Sequence, residues 1–281
     1  MKKLFSLLFL LALPLFAEVT LPKIFTSHMV LQRNQSIIIW GWATPGEAVS
    51  VSLSDQKIDT KADSSGNWRV SLPARKVGPS LTLTVNNLSF TNVLMGDVWL
   101  CSGQSNMEWG LGLIKNGKQE IAAANYPNIR LFDVHKRLSD KPLKDIASGS
   151  GWKICTPANA ARTGTHHGFS ATAYFFGRHL HKELNVPIGL IDSSWGGSRV
   201  EPWTAFEGYA DIKELAKEFK ITKSQTPGTA EYTKVQTKFL TEVQLWKTKA
   251  DTALKTERPA SSVLNCKKLL SNFGIHQRPW R

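Results

Sequence analysis

Apolar and polar residues alternate along the first part of the chain. They alternate at 49–53 and again at 81–85, and this period of two residues indicates strands with one buried face. The stretches 36–42 and 68–72 are rich in strand-forming residues, and turn sequences separate them from their neighbours. Short strands at this spacing predict a small β-sandwich over residues 18–94.

From Gly96 onward the pattern changes to buried runs separated by helical segments. Predominantly apolar runs, typical of strands buried on both faces, occur at 98–101, 129–134 and 187–192. Ser170 is a suitable N-cap for a helix over 171–184, in which apolar residues recur at helical spacing. Strand, helix and strand in this order predict an α/β domain with a parallel sheet over residues 95–281.

The last part of that region divides into two segments. Residues 205–256 mix Lys and Glu with Leu, Phe, Val and Trp, which predicts a helical segment. Residues 259–281 contain only one short apolar cluster, and this atypical tail matches no packed element.

The first seventeen residues have the organisation of a signal peptide. A basic start, Met1 to Lys3, precedes an apolar run at 4–16, and Ala17 is a plausible last residue before cleavage. The run is short for a membrane span, and no other stretch has that character. We therefore expect a periplasmic or secreted protein without a membrane span after signal removal.

The chain carries a formal net charge of +13 and ten tryptophans. The many lysines after Asp211 are explained by a solvated helical face or by attraction to an anionic glycan. Nucleic acid is not an expected partner, because no recognition motif accompanies the charge. The tryptophans fit either buried cores or a sugar-binding cleft. No Cys/His spacing resembles a zinc site, and the oligomeric state stays open.

The segment 96–109 carries the strongest chemical signal. An apolar strand leads into Gly103-Gln104-Ser105, a tight turn that would present Ser105 at the carboxyl end of the strand. A serine hydroxyl there is a candidate nucleophile, provided that a base and oxyanion donors lie nearby. Met107 stands where the common Gly-x-Ser-x-Gly motif has its second glycine.

This segment closely resembles the nucleophile block of the sialate O-acetylesterase family, within the SGNH hydrolases. The resemblance runs in order over roughly residues 20 to 205, and its other matching segments are 29–33, 124–132, 169–178, 187–197 and 201–203. It implies an SGNH-type three-layer α/β/α domain around a parallel sheet, incomplete in this chain and preceded by the small β-sandwich.

The resemblance also implies site residues. Ser105 is the implied nucleophile, and its own N–H together with that of Gly197 or Gly196 would form part of the oxyanion hole. Plain turn geometry is the alternative explanation for the two glycines.

Four further residues are implied as supporting groups. Gln104 and Asn106 would hold the turn or touch substrate. Arg199 and Glu201 would line the cleft, although an ordinary surface ion pair explains them equally well.

Two later family blocks have no counterpart here. One is a Gly-Glu-Ser-Asn type segment with an oxyanion-hole Asn, and the other is an Asp-x-x-His that supplies the base and its orienting carboxylate. His166 and His167 are weak substitutes in a predicted loop, and Asp133-Val134-His135 has a different spacing. We therefore expect a chain that stops before the catalytic block and leaves a sheet edge and apolar faces uncovered.

The predicted function is that of a serine esterase without metal or cofactor. By resemblance it would remove O-acetyl groups from sialic acid or related acetylated sugars through an acetyl-serine intermediate. The alternatives are a catalytically inactive fragment that binds carbohydrate, and an acetyl-xylan or general acyl esterase on the same fold.

Overall fold

The computed structural model describes residues 19–137, 139, 143–147, 151–164, 166–198, 203, 208 and 212–255. The predicted signal peptide 1–17, the tail 259–281, and Arg199 and Glu201 lie outside the described residues. The strands are β1 Val30–Gln32, β2 Ile37–Trp42, β3 Ala48–Leu53, β4 Gln56–Lys61, β5 Asn67–Leu72, β6 Leu81–Val85, β7 Leu88–Gly103, β8 Tyr126–Asp133, β9 Lys153–Cys155 and β10 Ile188–Ser194. The α-helices are α1 Ser105–Glu108, α2 Gly117–Ala122, α3 Pro157–Arg162, α4 Ala171–Leu184, α5 Ala216–Gln225 and α6 Ala230–Lys255.

The N-terminal region has the predicted antiparallel β architecture. Strands β2 and β5 pair with each other, and β4, β3, β6 and the first half of β7 form an antiparallel sheet in that order. Inward-facing residues of both sheets share one core, which includes Ile39, Val51, Leu72 and Leu83. Each of these four side chains is completely buried, as the alternating sequence pattern requires.

Strand β7 is 16 residues long and joins the β region to the α/β region. Its first half pairs antiparallel with β6, residues 94–96 pair parallel with β1, and residues 97–103 pair parallel with β10. The predicted domain boundary at residues 94 and 95 therefore lies within one continuous strand.

The second half of β7 begins the parallel part of the sheet. Strands β7, β10 and β8 run parallel in that order, and β9 adds an antiparallel edge. Helix α4 packs on β10 and β8, so its buried residues and those of the strands form a second core. The α/β prediction is confirmed, with a sheet that is mixed rather than wholly parallel.

Helix α4 shows how local sequence signals determine this region. Ser170 caps it as predicted, because Ser170 Oγ accepts a hydrogen bond from the Ala173 N–H over 3.2 Å. The helix ends at Asn185, whose φ of +51° is the left-handed conformation common after helices. The two caps fix the two ends of the helix, and its start contacts the turn that carries the candidate nucleophile.

Helices α5 and α6 belong to a separate compact unit that contains residues 199–281. Both lie within the segment 205–256 that the sequence analysis interprets as helical. In α6, Ala253 is the one residue described as buried, and the apolar side chains of Val235, Leu240, Leu245 and Leu254 are exposed. None of the helices in the described ranges is both long enough and apolar enough to cross a membrane.

Candidate active site

Ser105 lies in the turn that follows strand β7. The strand ends at Gly103, whose φ of +150° is rare for residues with a side chain, and helix α1 begins at Ser105. Ser105 is half-buried, and within the described ranges its hydroxyl has no hydrogen-bond partner. The structure therefore places an accessible serine hydroxyl at the carboxyl end of a parallel strand.

The turn is fixed through its backbone. The Gln104 carbonyl accepts hydrogen bonds from the N–H groups of Met107 and Glu108, each over 3.0 Å. The side chains of Gln104 and Asn106 are exposed. Both residues thus support the turn with main-chain groups, and their amide side chains face solvent.

The start of α4 holds the same turn from outside. Thr172 Oγ1 donates to the Asn106 carbonyl over 2.9 Å. Ser170 Oγ donates to the Met107 carbonyl over 2.5 Å. Ser170 is completely buried, so the bond to Met107 is protected from water and ties the nucleophile turn to the core.

The loop after β10 lies directly against the nucleophile turn. The Trp195 N–H donates to the Gly103 carbonyl over 2.9 Å, which extends the pairing of β10 and β7 by one residue. A Cβ added at Gly196 would lie 3.6 Å from Ser105 Cα and only 2.2 Å from Glu108 Oε2. Any side chain at Gly196 would therefore displace the Glu108 carboxylate.

The two loop glycines differ in what their N–H groups do. The Gly196 N–H donates to Glu108 Oε2 over 2.5 Å, so it is already engaged. Gly197 has a φ of +76°, and a Cβ added there would meet nothing within 4 Å. Among the described residues, neither the Gly197 N–H nor the Ser105 N–H has a hydrogen-bond partner. Of the predicted oxyanion donors, these two remain available.

Glu108 links the nucleophile helix to two other elements. Its side chain is buried and forms an ion pair with Lys136, which follows β8. The Lys136 ammonium lies 5.7 Å from the centroid of the Trp195 ring. Burial lowers the pKa of Lys136, and the nearby Asp192 carboxylate opposes that shift. Helix α1, the loop after β10 and the end of β8 are thus held by one charged network.

A second acidic group lies deeper in the sheet. Asp192 of β10 stands beside Asp133 of β8 and accepts a hydrogen bond from Ser194 Oγ over 2.6 Å. Burial raises the pKa of Asp192 to about 6, and the neighbouring Asp133 carboxylate adds to the shift. Burial also raises the pKa of Asp133, whose Oδ2 lies 3.5 Å from His135 Nε2.

Sequence reasoning did not assign roles to Glu108, Lys136 or Asp192. A signal for Asp192 was present, because polar residues at the carboxyl ends of buried strands mark sites in α/β sheets. Lys136 comes soon after another such strand, β8. The ion pair between Glu108 and Lys136 depends on how the strands are ordered, which local patterning does not reveal.

No histidine of the described ranges donates to or accepts from Ser105 Oγ. His166 and His167 lie in an exposed loop, and their carbonyl groups accept from the N–H groups of Gly110 and Gly112. Arg199 and Glu201, the predicted cleft residues, lie outside the described residues.

The described residues contain no cluster of three or more His, Cys, Asp or Glu side chains suited to hold a metal ion. The titratable groups nearest to the candidate site are instead arranged as ion pairs and hydrogen-bonded carboxylates, as in the pairs Glu108–Lys136 and Asp192–Ser194.

Comparison with known families gives a match over the region that contains Ser105. Residues 95–227 match the family described as carbohydrate esterase, sialic acid-specific acetylesterase. The matched segment begins within β7 and includes the nucleophile turn, α4, β10 and the glycine loop.

Curated relatives include sialate O-acetylesterases of Mus musculus and Homo sapiens. Each is 37% identical to this chain, over 196 and 200 residues respectively. The matches cover 64% of this chain but only 36% and 37% of the two relatives. The chain therefore spans little more than a third of the length of these relatives.

A solved carbohydrate acetylesterase from Xanthomonas citri has a similar structure. It is 40% identical to this chain, with a TM-score of 0.63, over 70% of this chain and 45% of that chain. The shared fold thus extends well beyond the nucleophile turn.

Proposed function

We propose that this chain, whose residues 95–227 match the sialic acid-specific acetylesterase family of carbohydrate esterases, hydrolyses O-acetyl esters of sugars. Sialic acid and related acetylated sugars are the proposed substrates. Ser105 is the proposed nucleophile, and no metal or cofactor takes part in the proposed reaction.

The observation that carries the proposal is that Ser105 lies against the glycine loop at Gly196, while the Ser105 and Gly197 N–H groups have no hydrogen-bond partner among the described residues. Ser105 Oγ would attack the acetyl carbonyl carbon while the Ser105 and Gly197 N–H groups stabilise the developing oxyanion. The bond between the acetyl carbon and the sugar oxygen would then break, the sugar oxygen would take up the proton that Ser105 Oγ gave up, and an acetyl-serine would remain. Attack by water on that ester would release acetate and restore Ser105.

The charged network around Glu108 supports this arrangement. Because Glu108 Oε2 accepts from the Gly196 N–H, it fixes the loop that presents the next N–H, that of Gly197. Its other oxygen is held by Lys136, so the carboxylate cannot rotate freely. We assign Glu108 and Lys136 as positioning residues for the oxyanion donors.

The proposal is tested by acetate release from O-acetylated sialic acid. We expect Ser105→Ala to lower the rate at least about a thousandfold, since no other hydroxyl takes the place of the nucleophile. Ser102→Ala is the matched control, because Ser102 is an exposed serine in the same strand. Equal rates in the unaltered protein and in Ser105→Ala would refute the proposal for this chain.

The substrate class is tested by comparing O-acetylated sialic acid with acetyl-xylan. The proposal predicts a higher kcat/KM for the sialic acid ester, and the family match supports it. A preference for acetyl-xylan would instead support a general acyl esterase on the same fold. Both results require that the activity is lost in Ser105→Ala.

The second candidate function is sugar binding without catalysis. It is favoured by one observation: in the described part of the chain, no imidazole hydrogen-bonds to Ser105 Oγ, and a serine hydroxyl needs such a base. Saturable binding of O-acetylated sialic acid, with a rate of acetate release equal to that of Ser105→Ala, would establish this candidate.

We also propose that the protein is exported, on the basis of the signal-like residues 1–17. Fractionation of cells that express the full chain, followed by sequencing of the mature N-terminus, tests this. A cytoplasmic product that retains Met1 would contradict export.

A further inference from the structure

The outer face of the two-stranded sheet is unusually aromatic. Along β2, Ile38, Trp40 and Trp42 alternate with the buried residues of the same strand. The register places Trp40 opposite Arg69 of β5, and Trp42 opposite Asn67. These five residues therefore share the face that points away from the core.

This face forms a shallow cleft that is open to solvent. The cleft has a volume of about 480 Å³, and all five outer-face residues line it. That volume is in the range of small-molecule sites in proteins, which extends from about 300 to 1,000 Å³. The cleft belongs to a different sheet from the one that carries Ser105.

The Trp40 ring is held in place but remains accessible. The Trp40 ring packs edge-on against Phe25, with ring centroids 4.8 Å apart, and 40% of Trp40 stays exposed. Trp40 and Trp42 are two residues apart on a strand, so they start about 7 Å from each other on the same face. Two indoles at this spacing offer a surface on which a flat ligand can stack.

The polar residues beside the tryptophans indicate which kind of ligand the cleft would bind. Within the described ranges, Arg69 forms no ion pair, and its exposed guanidinium stands across from Trp40. A sugar ring has an apolar face of C–H groups, which packs on an indole, and a rim of hydroxyls, which accept from Arg and Asn. A purely apolar partner would leave the Arg69 charge desolvated and unpaired.

We propose that this cleft, lined by Trp40, Trp42, Asn67 and Arg69, is a carbohydrate-binding site separate from Ser105. It takes a pyranose ring of an oligosaccharide, with the ring stacked on the indoles and its hydroxyl or carboxylate groups bound by Arg69. Such a site would hold the protein on a glycan independently of ester hydrolysis.

The test is isothermal titration calorimetry of the full chain with a panel of oligosaccharides. The panel contains xylohexaose, cellohexaose, chitohexaose and sialyllactose. We expect saturable binding of at least one of them, and a dissociation constant at least about fivefold higher in Trp40→Ala and Trp42→Ala. Trp40→Phe keeps an aromatic ring and should retain part of the affinity, whereas Arg69→Gln should weaken binding without removing the platform.

Two matched variants separate this site from other effects. Ser105→Ala should bind the same sugar with unchanged affinity, because it alters only the distant nucleophile. Val77→Ala is a control in the same region, since Val77 is 39% exposed and lies outside the cleft. Thermal unfolding of each variant confirms that it is folded.

Two results would overturn the proposal. One is the absence of saturable binding to every member of the panel. The other is binding that Trp40→Ala and Trp42→Ala leave unchanged. Binding of anionic lipid vesicles or of peptides, without sugar binding, would likewise replace a carbohydrate site by another kind of surface.

Discussion

The two halves of strand β7 have different surroundings although they form one strand. Residues 88–93 pair with β6 and residues 94–96 pair with β1, and Val93 and Met95 are almost completely buried. Residues 97–103 lead to Ser105 and pair, among the described strands, with β10 alone. In this second half, Trp99 is 42% exposed and Leu100 is 67% exposed. The half of β7 that leads to the candidate nucleophile is therefore more exposed to solvent than the other half.

The junction between the two halves is closed by side chains. Arg33 forms a two-point ion pair with Asp97, over 2.8 and 2.9 Å, and this pair lowers the pKa of the Asp97 carboxyl. Gln32 Oε1 accepts from the Val98 N–H over 2.9 Å. These side chains bind β7 at residues 97 and 98, just beyond the last residue of β7 that pairs with β1. The stability of β7 should consequently come from its first half, and its second half should contribute little.

The largest expected effect is at Gly96, in the well-covered half. A Cβ added there would lie 2.1 Å from the Pro187 carbonyl oxygen, so the backbone of one strand would have to move. We expect Gly96→Ala to lower the free energy of unfolding by about 3 kcal/mol or more, measured by urea denaturation. Gly78→Ala is the control, because a Cβ at Gly78 meets nothing within 4 Å. Equal losses in both variants would contradict the steric argument.

The next largest effect tests the comparison within the strand itself. Met95 is 2% exposed, so Met95→Ala should cost about 2–4 kcal/mol through lost burial and a residual cavity. Leu100→Ala removes a side chain of similar size from the open half and should cost less than about 1 kcal/mol. Urea denaturation of both variants measures the difference. Similar losses would mean that the second half is covered in solution.

Asp192 allows a test of the electrostatics of the open half, because it stands opposite Cys101 of β7. Its pKa is about 6 in the folded protein and about 3.9 in an unfolded chain. The folded state thus holds the proton more tightly, and the stability contributed by this group is lost as the pH rises from about 4 through 6. The Asp192→Asn variant has no carboxyl to ionise at this position, so it does not show this loss of stability with pH.

We expect the free energy of unfolding of the unaltered protein to fall, relative to Asp192→Asn, by up to about 3 kcal/mol between pH 4 and pH 7. Urea denaturation at both pH values measures this difference, and groups common to both proteins cancel. Parallel pH profiles would show that the Asp192 carboxyl is no harder to ionise in the folded protein than in the unfolded chain.

The β region was largely predictable from sequence, because most strands there bury one face. The alternation at 49–53 and 81–85 corresponds to β3 and β6 almost residue by residue. Strand β4 was not identified, since its sequence Gln-Lys-Ile-Asp-Thr-Lys contains one apolar residue and is half-exposed or exposed throughout. Its residues form a strand because they pair with β3, although their composition does not favour one.

The candidate site was predictable only in part. The position of Ser105 follows from a local strand-and-turn pattern, and its proximity to Gly196 is seen in the structure. Which loop glycine has a free N–H depends on Glu108, and the position of Glu108 depends on Lys136, which is 28 residues away in sequence. Such contacts arise from the order of strands in the sheet, which periodicity does not encode.

The smallest expected effect on stability, and the one that bears most directly on the open half, is that of Leu100→Lys. Because Leu100 is already 67% exposed, we expect the free energy of unfolding to change by less than about 0.5 kcal/mol. Self-association should nevertheless decrease, since an unpaired strand edge with an exposed apolar residue favours edge-to-edge pairing and a lysine opposes it. Sedimentation velocity over a range of protein concentrations measures this. Val77→Lys places the same charge on an exposed apolar position of the β region and should leave association unchanged. If the unaltered protein is already monomeric at every concentration, the second half of β7 does not act as an open edge, and the contrast between the two halves is limited to their burial.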